Sequence, residues 1–237
     1  ENPLGRAAAA TEYPEQGGQF LARISADGHT LEYFTYLRAP GRLVTMKAGS
    51  GDTVYIALSD ITGSSLSIGL PGVPPGYQST LGGVMVARYN TALRRFDRQT
   101  YFGEDPGLGR HHSPRRLEIS PRGEVFLVGD TLLASLSLVS PVQTAPPSGG
   151  KAAGFVAPFS PDLGSLLFSS YLGGQGGDTR IEFVGFRADG ALWLAGWTEP
   201  GAIPQFDSSA RPDPAQGFQQ RAFVARVMPG APPAVTG

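Results

Sequence analysis

The sequence predicts an all-β chain built from four-stranded antiparallel blades, and three observations predict it. One motif recurs as Phe20-Leu-Ala-Arg-Ile-Ser, Met85-Val-Ala-Arg-Tyr-Asn, Phe155-Val-Ala-Pro-Phe-Ser and Phe223-Val-Ala-Arg-Val-Met, with starts 65, 70 and 68 positions apart. Two further landmarks keep step with it. They are Thr35-Tyr36-Leu37, Thr100-Tyr101-Phe102 and Ser170-Tyr171-Leu172, then Val54-Tyr55-Ile56-Ala57, Val125-Phe126-Leu127-Val128 and Leu192-Trp193-Leu194-Ala195. Third, the apolar runs are short and separated by turn residues, without the spacing of a long amphipathic helix. Periodicity on this scale marks propellers, solenoids and arrays.

Each period reads as four strands. The first is Ile181 to Phe186, closed by the turn Arg187-Ala-Asp-Gly190, whose glycine suits positive φ. The second, Ala191 to Thr198, is apolar on both faces: Leu192 and Leu194 on one, Trp193 and Trp197 on the other. A strand of that kind is covered on both faces, so the tryptophans are expected between blades. The third strand is Phe155 to Phe159, where Pro158 points to an edge position or a bulge. The turn Ser160-Pro-Asp-Leu-Gly164 follows, its proline presetting φ, and leads into the fourth strand, Leu166 to Leu172. Four antiparallel strands per period describe a propeller blade. A β-sandwich is the competing architecture, and a β-helix needs a shorter period.

Composition narrows the function classes. Glycine (33) and proline (21) together make under a quarter of the 237 residues, below the ~25–30% of low-complexity segments. They fall between apolar runs, as turns do. The net charge of −1 and the lack of a basic cluster give no nucleic-acid footprint. No apolar run is long enough for a membrane span. Ala7 to Ala10 is too short for a signal-peptide core, and the chain starts without methionine, as a processed chain or a fragment does. Cysteine is absent, which excludes disulfides, thiolate metal sites and cysteine nucleophiles.

Phe155-Val-Ala-Pro-Phe-Ser-Pro-Asp, Ser169-Ser-Tyr-Leu-Gly-Gly174, Ala188-Asp-Gly-Ala-Leu-Trp-Leu-Ala-Gly-Trp-Thr198 and Phe223-Val-Ala-Arg occur in that order. Thr100-Tyr-Phe-Gly103 and Ser120-Pro-Arg-Gly-Glu-Val-Phe-Leu-Val-Gly-Asp-Thr131 belong to the preceding period. In these residues the chain resembles the bacterial β-propeller repeat family often called SBBP, over nearly everything from Phe20 to Val227. The first period departs from it, with Arg38-Ala39-Pro40 where paired glycines are expected. The resemblance implies a propeller fold in a structural device of secreted or surface proteins, hence an extracytoplasmic location, and it attaches no catalytic motif.

The strand count leaves a ring open. Only third- and fourth-type strands, from Gln19 and Leu31, precede the first complete period, and no fourth strand follows Phe223–Val227. The expected organisation is an irregular segment 1–18, a half blade 19–42, blades 43–115 and 116–180, a partial blade 181–228 and a tail 229–237. Strands group as two, four, four and three, about three blades in all, whereas a closed propeller has at least four. The terminal strands are therefore expected to pair with a partner chain or with another part of a larger one.

Long connections join the second and third strands of each period, roughly Ser59–Gly83, Asp130–Gly154 and Glu199–Arg221. They exceed the usual ~4–6 residues. Strand alternation puts them on the same side as the loops that enter each following period, which makes that side a candidate partner or ligand surface. Its candidate residues are Tyr77, Asp105, His111, His112, Phe206 and Phe218. Two carboxylates and two histidines between Glu104 and His112 have metal-binding chemistry, but no other period has a matching histidine. Gly173 to Arg180 lacks the alternating ligands of a calcium loop and the ending of a phosphate loop. No metal, cofactor or catalytic residue is expected. There is no Gly-x-Ser-x-Gly elbow, and only three histidines are present. The leading expectation is a non-catalytic structural and protein-interaction module. Glycan binding through Phe206 and Phe218 is the alternative, with a propeller lyase or hydrolase behind it.

Overall fold

The computed structural model describes residues 19–37, 39, 41–59, 70, 72–80, 82–104, 112–146, 149–174, 177–187, 191–199 and 221–227. Among them there are thirteen strands and no helix. The terminal hairpin is β1 (Gln19–Ile24) and β2 (Leu31–Leu37). Sheet I runs β3 (Arg42–Ala48), β4 (Thr53–Ser59), β5 (Val84–Asn90) and β6 (Arg95–Phe102) in spatial order. Sheet II repeats that order with β7 (His112–Ile119), β8 (Val125–Thr131), β9 (Ala153–Phe159) and β10 (Ser170–Leu172). Sheet III holds β11 (Thr179–Phe186), β12 (Leu192–Thr198) and β13 (Arg221–Val227). All pairings between these strands are antiparallel. The grouping of two, four, four and three agrees with the sequence, and the architecture is a stack of blade-like sheets.

The sheets pack face to face in chain order. In β4, Val54, Ile56 and Leu58 turn toward the hairpin, where they meet Leu21 and Leu37. The alternate residues Tyr55 and Ala57 turn the other way, toward sheet II. Both sets are buried. Phe102 is the hinge of the second core, its ring centroid 5.5 Å from Phe155 and 5.9 Å from Phe159. A third core joins sheets II and III through Phe126, Val128 and Val156 against Ile181, Leu192 and Leu194. Burial on both faces is why the middle strands lack the apolar–polar alternation of a half-exposed sheet.

The turns are equally regular. Ser25 to Thr30 and Ser160 to Ser165 share one hydrogen-bond pattern. Asp27 Oδ1 accepts from Ser25 Oγ and His29 N, as Asp162 Oδ1 accepts from Ser160 Oγ and Gly164 N. The hydroxyl of each serine then accepts the amide five residues on. The left-handed position is Gly28 in one and Leu163 in the other, at φ 77° and 59°. Leu163 bears that strain because its side chain is fully buried in the second core.

Two expectations about sheet II are corrected. Pro158 is neither at an edge nor in a bulge: β9 is central, and its register with β8 runs unbroken from Val125↔Phe159 to Thr131↔Ala153. The tolerance comes from the other side, where β9–β10 pairing ends at Val156↔Ser170. The Pro158 carbonyl takes Leu167 N there, across the irregular approach to β10, so no ladder amide is missed. For the same reason the fourth strand is shorter than Leu166 to Leu172. It survives as Ser170–Leu172 with isolated bridges at Leu166 and Ser169.

Where they are described, the long connections between second and third strands of sheets I and II run along sheet edges. In sheet I, Pro75 bridges Gln99 of β6, Gly76 N donates to Gln99 O, and Tyr101 N donates to Gln78 O. The buried Gln99 side chain holds the same loop, taking Leu70 N at 2.7 Å and giving to Val73 O at 2.9 Å. In sheet II, Ser169 N donates to Val139 O and Tyr171 N to Gln143 O. Each loop thus satisfies outer-edge amides that would otherwise invite another strand. Gln99→Leu should leave the Leu70 amide and the Val73 carbonyl unpaired, at about 1–3 kcal/mol. Hydrogen exchange of amides 70–78 should accelerate before that of β4 or β5; unchanged exchange there would mean that Gln99 does not hold the loop.

Candidate interaction surfaces

The predicted side of loops exists. Gln78 Nε2 reaches Gly103 O, Gly173 N reaches Gln143 Oε1, and Ala152 N reaches Asp178 Oδ1, so both kinds of loop meet at one end of the sheets. Of the residues proposed for it, Asp105, His111, Phe206 and Phe218 lie outside the described residues. Tyr77 is partly exposed, but its amide donates to Leu163 O and its ring lies 6.4 Å from Phe159, fastening the loop of sheet I to sheet II. His112 opens β7 and is buried, Nε2 hydrogen-bonded to Glu104 O at 2.8 Å. Its ring occupies the space that Cβ atoms on Gly83 and Gly103 would need. The two described candidates, Tyr77 and His112, are thus both held in packing contacts.

A second region is the inner edge, where β3 packs on β7 and β7 on β11. Each of these strands slips register at the same place: between Leu43 and Thr45, Pro114 and Arg116, Ile181 and Phe183. A bulge bends and twists an edge away from further pairing. Charge lines this edge. Lys47 pairs with Glu118 at 2.5 Å, Arg115 Nε with Asp130 Oδ1 at 2.7 Å, and Arg116 lies over the exposed ring of Phe183. Arg180 stands 3.9 Å from the same Asp130 and covers the ring of Trp197. Burial raises the Asp130 carboxyl above its ordinary range, and Arg115 and Arg180 oppose that rise. Burial lowers the Arg115 guanidinium, and the hydrogen bond and charge of Asp130 more than offset it.

Lys47–Glu118 joins sheets I and II, and Arg180–Asp130 and Arg116–Phe183 join sheets II and III. Asp130 is engaged as an ion-pair partner of both arginines, Arg115 and Arg180. Among the described residues no three His, Asp or Glu side chains gather as metal ligands. A cleft of about 150 Å³ between the hairpin and sheet I, lined by Leu21, Tyr33, Met46 and Val54, is smaller than the ~300–1,000 Å³ of small-molecule pockets.

The third region is the pair of outward faces at the ends of the stack. Cross-strand pairs Phe20↔Tyr36 and Ala22↔Phe34 place these four residues on the outer face of the hairpin. Phe20 stacks on Phe34 at 5.5 Å, Phe34 meets Tyr36 edge-on, and Phe20 remains 59% exposed. At the other end, Leu192 and Leu194 face the third core, and Trp193 takes the opposite side with Val224, which is 69% exposed. The expectation that Trp193 and Trp197 pack between blades is thus corrected. Among the described residues sheet III packs against another sheet on one side only, and both rings stay partly exposed. Trp193 Nε1 is shielded from solvent yet has no acceptor. The sequence named none of these as site residues, although Phe20 and Val224 belong to its first motif and their terminal place was visible in the strand count.

A carboxyl whose value is raised in the folded chain stabilises it below the unfolded value, and that contribution is lost as pH rises through the folded value. Asp130→Asn abolishes the titration. The stability of the variant relative to wild type should therefore increase from about pH 4 to pH 7, read as the difference between thermal midpoints. A difference that stays level or falls would contradict the buried-carboxyl account. A scan against protein-family models matches none, and a search of the curated proteins finds no match.

Proposed function

We propose that this chain is a non-catalytic structural and protein-interaction module of an extracytoplasmic protein, a segment of a propeller-type array that another polypeptide completes. One observation carries the reading: the two end faces of the stack expose apolar positions that inner sheets bury. Met85 and Phe155 stand where Phe20 does in the recurring motif, and both are fully buried. Val86 and Val156 stand where Val224 does, exposed at no more than 1%. Apolar patches of this kind, contiguous and rimmed by polar residues, mark interaction surfaces. The resemblance to SBBP-type repeats, which are devices of secreted and surface proteins, supports the location. No helix among the described residues is long and apolar enough to cross a membrane. The paired state of Lys47, Glu118, Arg115 and Asp130 supports a structural role for the inner edge over a catalytic one.

Photo-reactive side chains at positions 20 and 224, introduced into the chain in the cells that make it, should cross-link to polypeptide. The same probe at position 132, an exposed leucine on neither face, should not. Equal labelling at all three positions, or none at 20 and 224, would remove the basis of the proposal.

A further inference from the structure

We infer that the open face of sheet III receives the hairpin of a second copy of this chain, head to tail. The inference rests on the interaction-module reading and names its partner. The two open faces are opposite halves of one kind of contact. In each inner interface, one sheet offers the side marked by Tyr55, Ala57 and Val86, and the next offers the side marked by Phe155, Phe159 and Tyr171. Aligned by the recurring motif, Trp193, Ala195 and Val224 hold the first set of positions on sheet III. Phe20, Ile24 and Tyr36 hold the second set on the hairpin. Both sets are buried inside the stack and partly or largely exposed at its ends. An end that presents one half fits the end that presents the other.

A polar detail points to the same occupant. Between sheets I and II, Tyr55 Oη donates to Pro161 O at 2.7 Å and Arg88 Nη1 donates to the same carbonyl at 3.2 Å. Pro161 sits in the Ser160–Ser165 turn. The hairpin's Ser25–Thr30 turn has the same hydrogen bonds, with Ala26 in the place of Pro161. Trp193 stands where Tyr55 stands, and its Nε1–H is the shielded donor without an acceptor. The Ala26 carbonyl of a second copy supplies that acceptor once the Trp193 ring turns its Nε1–H outward, as Tyr55 Oη meets Pro161 O. A flat apolar face without this turn, such as a membrane or an unrelated hydrophobic peptide, leaves the donor unpaired. Head-to-tail contacts close into rings or grow into filaments. Two copies closed on each other bring eight sheets together, within the usual ~4–8 blades.

Sedimentation of the 237-residue chain over about 1–100 µM, which spans ordinary specific affinities, should show a species of twice the 24.9 kDa chain mass. Val224→Lys and Phe20→Lys, both at exposed positions, should each return the monomer while keeping the thermal midpoint of dilute wild type. Mixed in equal amounts, the two variants should recover a dimer, because one intact half remains on each. Trp193→Phe should weaken association up to about tenfold, the scale of one hydrogen bond. A wild-type monomer throughout the range overturns the inference. So does a dimer sensitive to only one of the two lysines, which marks like faces meeting, or a mixture that stays monomeric. A monomer whose positions 20 and 224 still capture another polypeptide would refuse the second copy and leave the interaction module standing.

Discussion

Everything in this structure depends on sheets that bury both faces. Sheet I carries Val54, Ile56 and Leu58 toward one neighbour and Tyr55, Ala57 and Val86 toward the other. Such a sheet is insoluble alone and stable only between two others, since each large side chain gains about 1.5–3 kcal/mol from burial. Stacking is therefore obligatory, and it proceeds by translation along the chain. The constraint has no natural end. A stack that stops leaves half of an interface in water, as the hairpin and sheet III do.

Edges are handled by separate means from faces. Outer edges are closed by the chain itself: the loops at 70–80 and 132–146 run beside β6 and β10 and take up their amides. Inner edges are closed by bulges at one shared position and by charged pairs between adjacent sheets. Both are recognised ways of stopping a sheet from adding strands. Neither covers the flat face of a terminal sheet. Among the described residues, β1 pairs with β2 and β13 with β12, and their outward faces have apolar rather than charged centres.

The sequence carried the strands well because period and turn chemistry are local. Gln19 and Leu31 open β1 and β2 as expected, and the grouping of two, four, four and three follows from counting motifs. What lay between the strands was less legible. The loops looked like ligand-binding insertions by length, yet where they are described they are fastened to the sheet edges by the backbone and side chains of Gln99, Ser169 and Tyr171, partners that the loops' own sequence does not announce. His112 stood among the candidate surface residues, and its burial follows from two glycines, Gly83 and Gly103, brought beside it by the fold. Pro158 was misplaced because its missing amide falls where β10 stops pairing, which depends on the extent of that neighbouring strand rather than on Pro158 itself. Asp130 and its two arginines come from three strands, so no local spacing could announce them.

The residues at the two ends argue against simple exposure. Where the inner stack has Gln99, the hairpin has Phe34; where it has Ser59 and Asp130, sheet III has Trp197. A surface shaped only for water would trade bulk for polarity at these places, and both ends trade the other way. The hairpin has two strands against the four of an inner sheet, so it offers less area to whatever it meets. Larger aromatic side chains restore contact area to a smaller sheet, and offset or edge-on rings add about 0.5–1.5 kcal/mol per pair beyond burial. Phe20, Phe34 and Tyr36 already make such pairs among themselves, which holds them in place before any partner arrives. Preorganised rings lose less freedom on binding than loose ones. The terminal faces thus keep aromatic bulk at the positions that the inner sheets bury, which fits the proposed reading of them as contact surfaces.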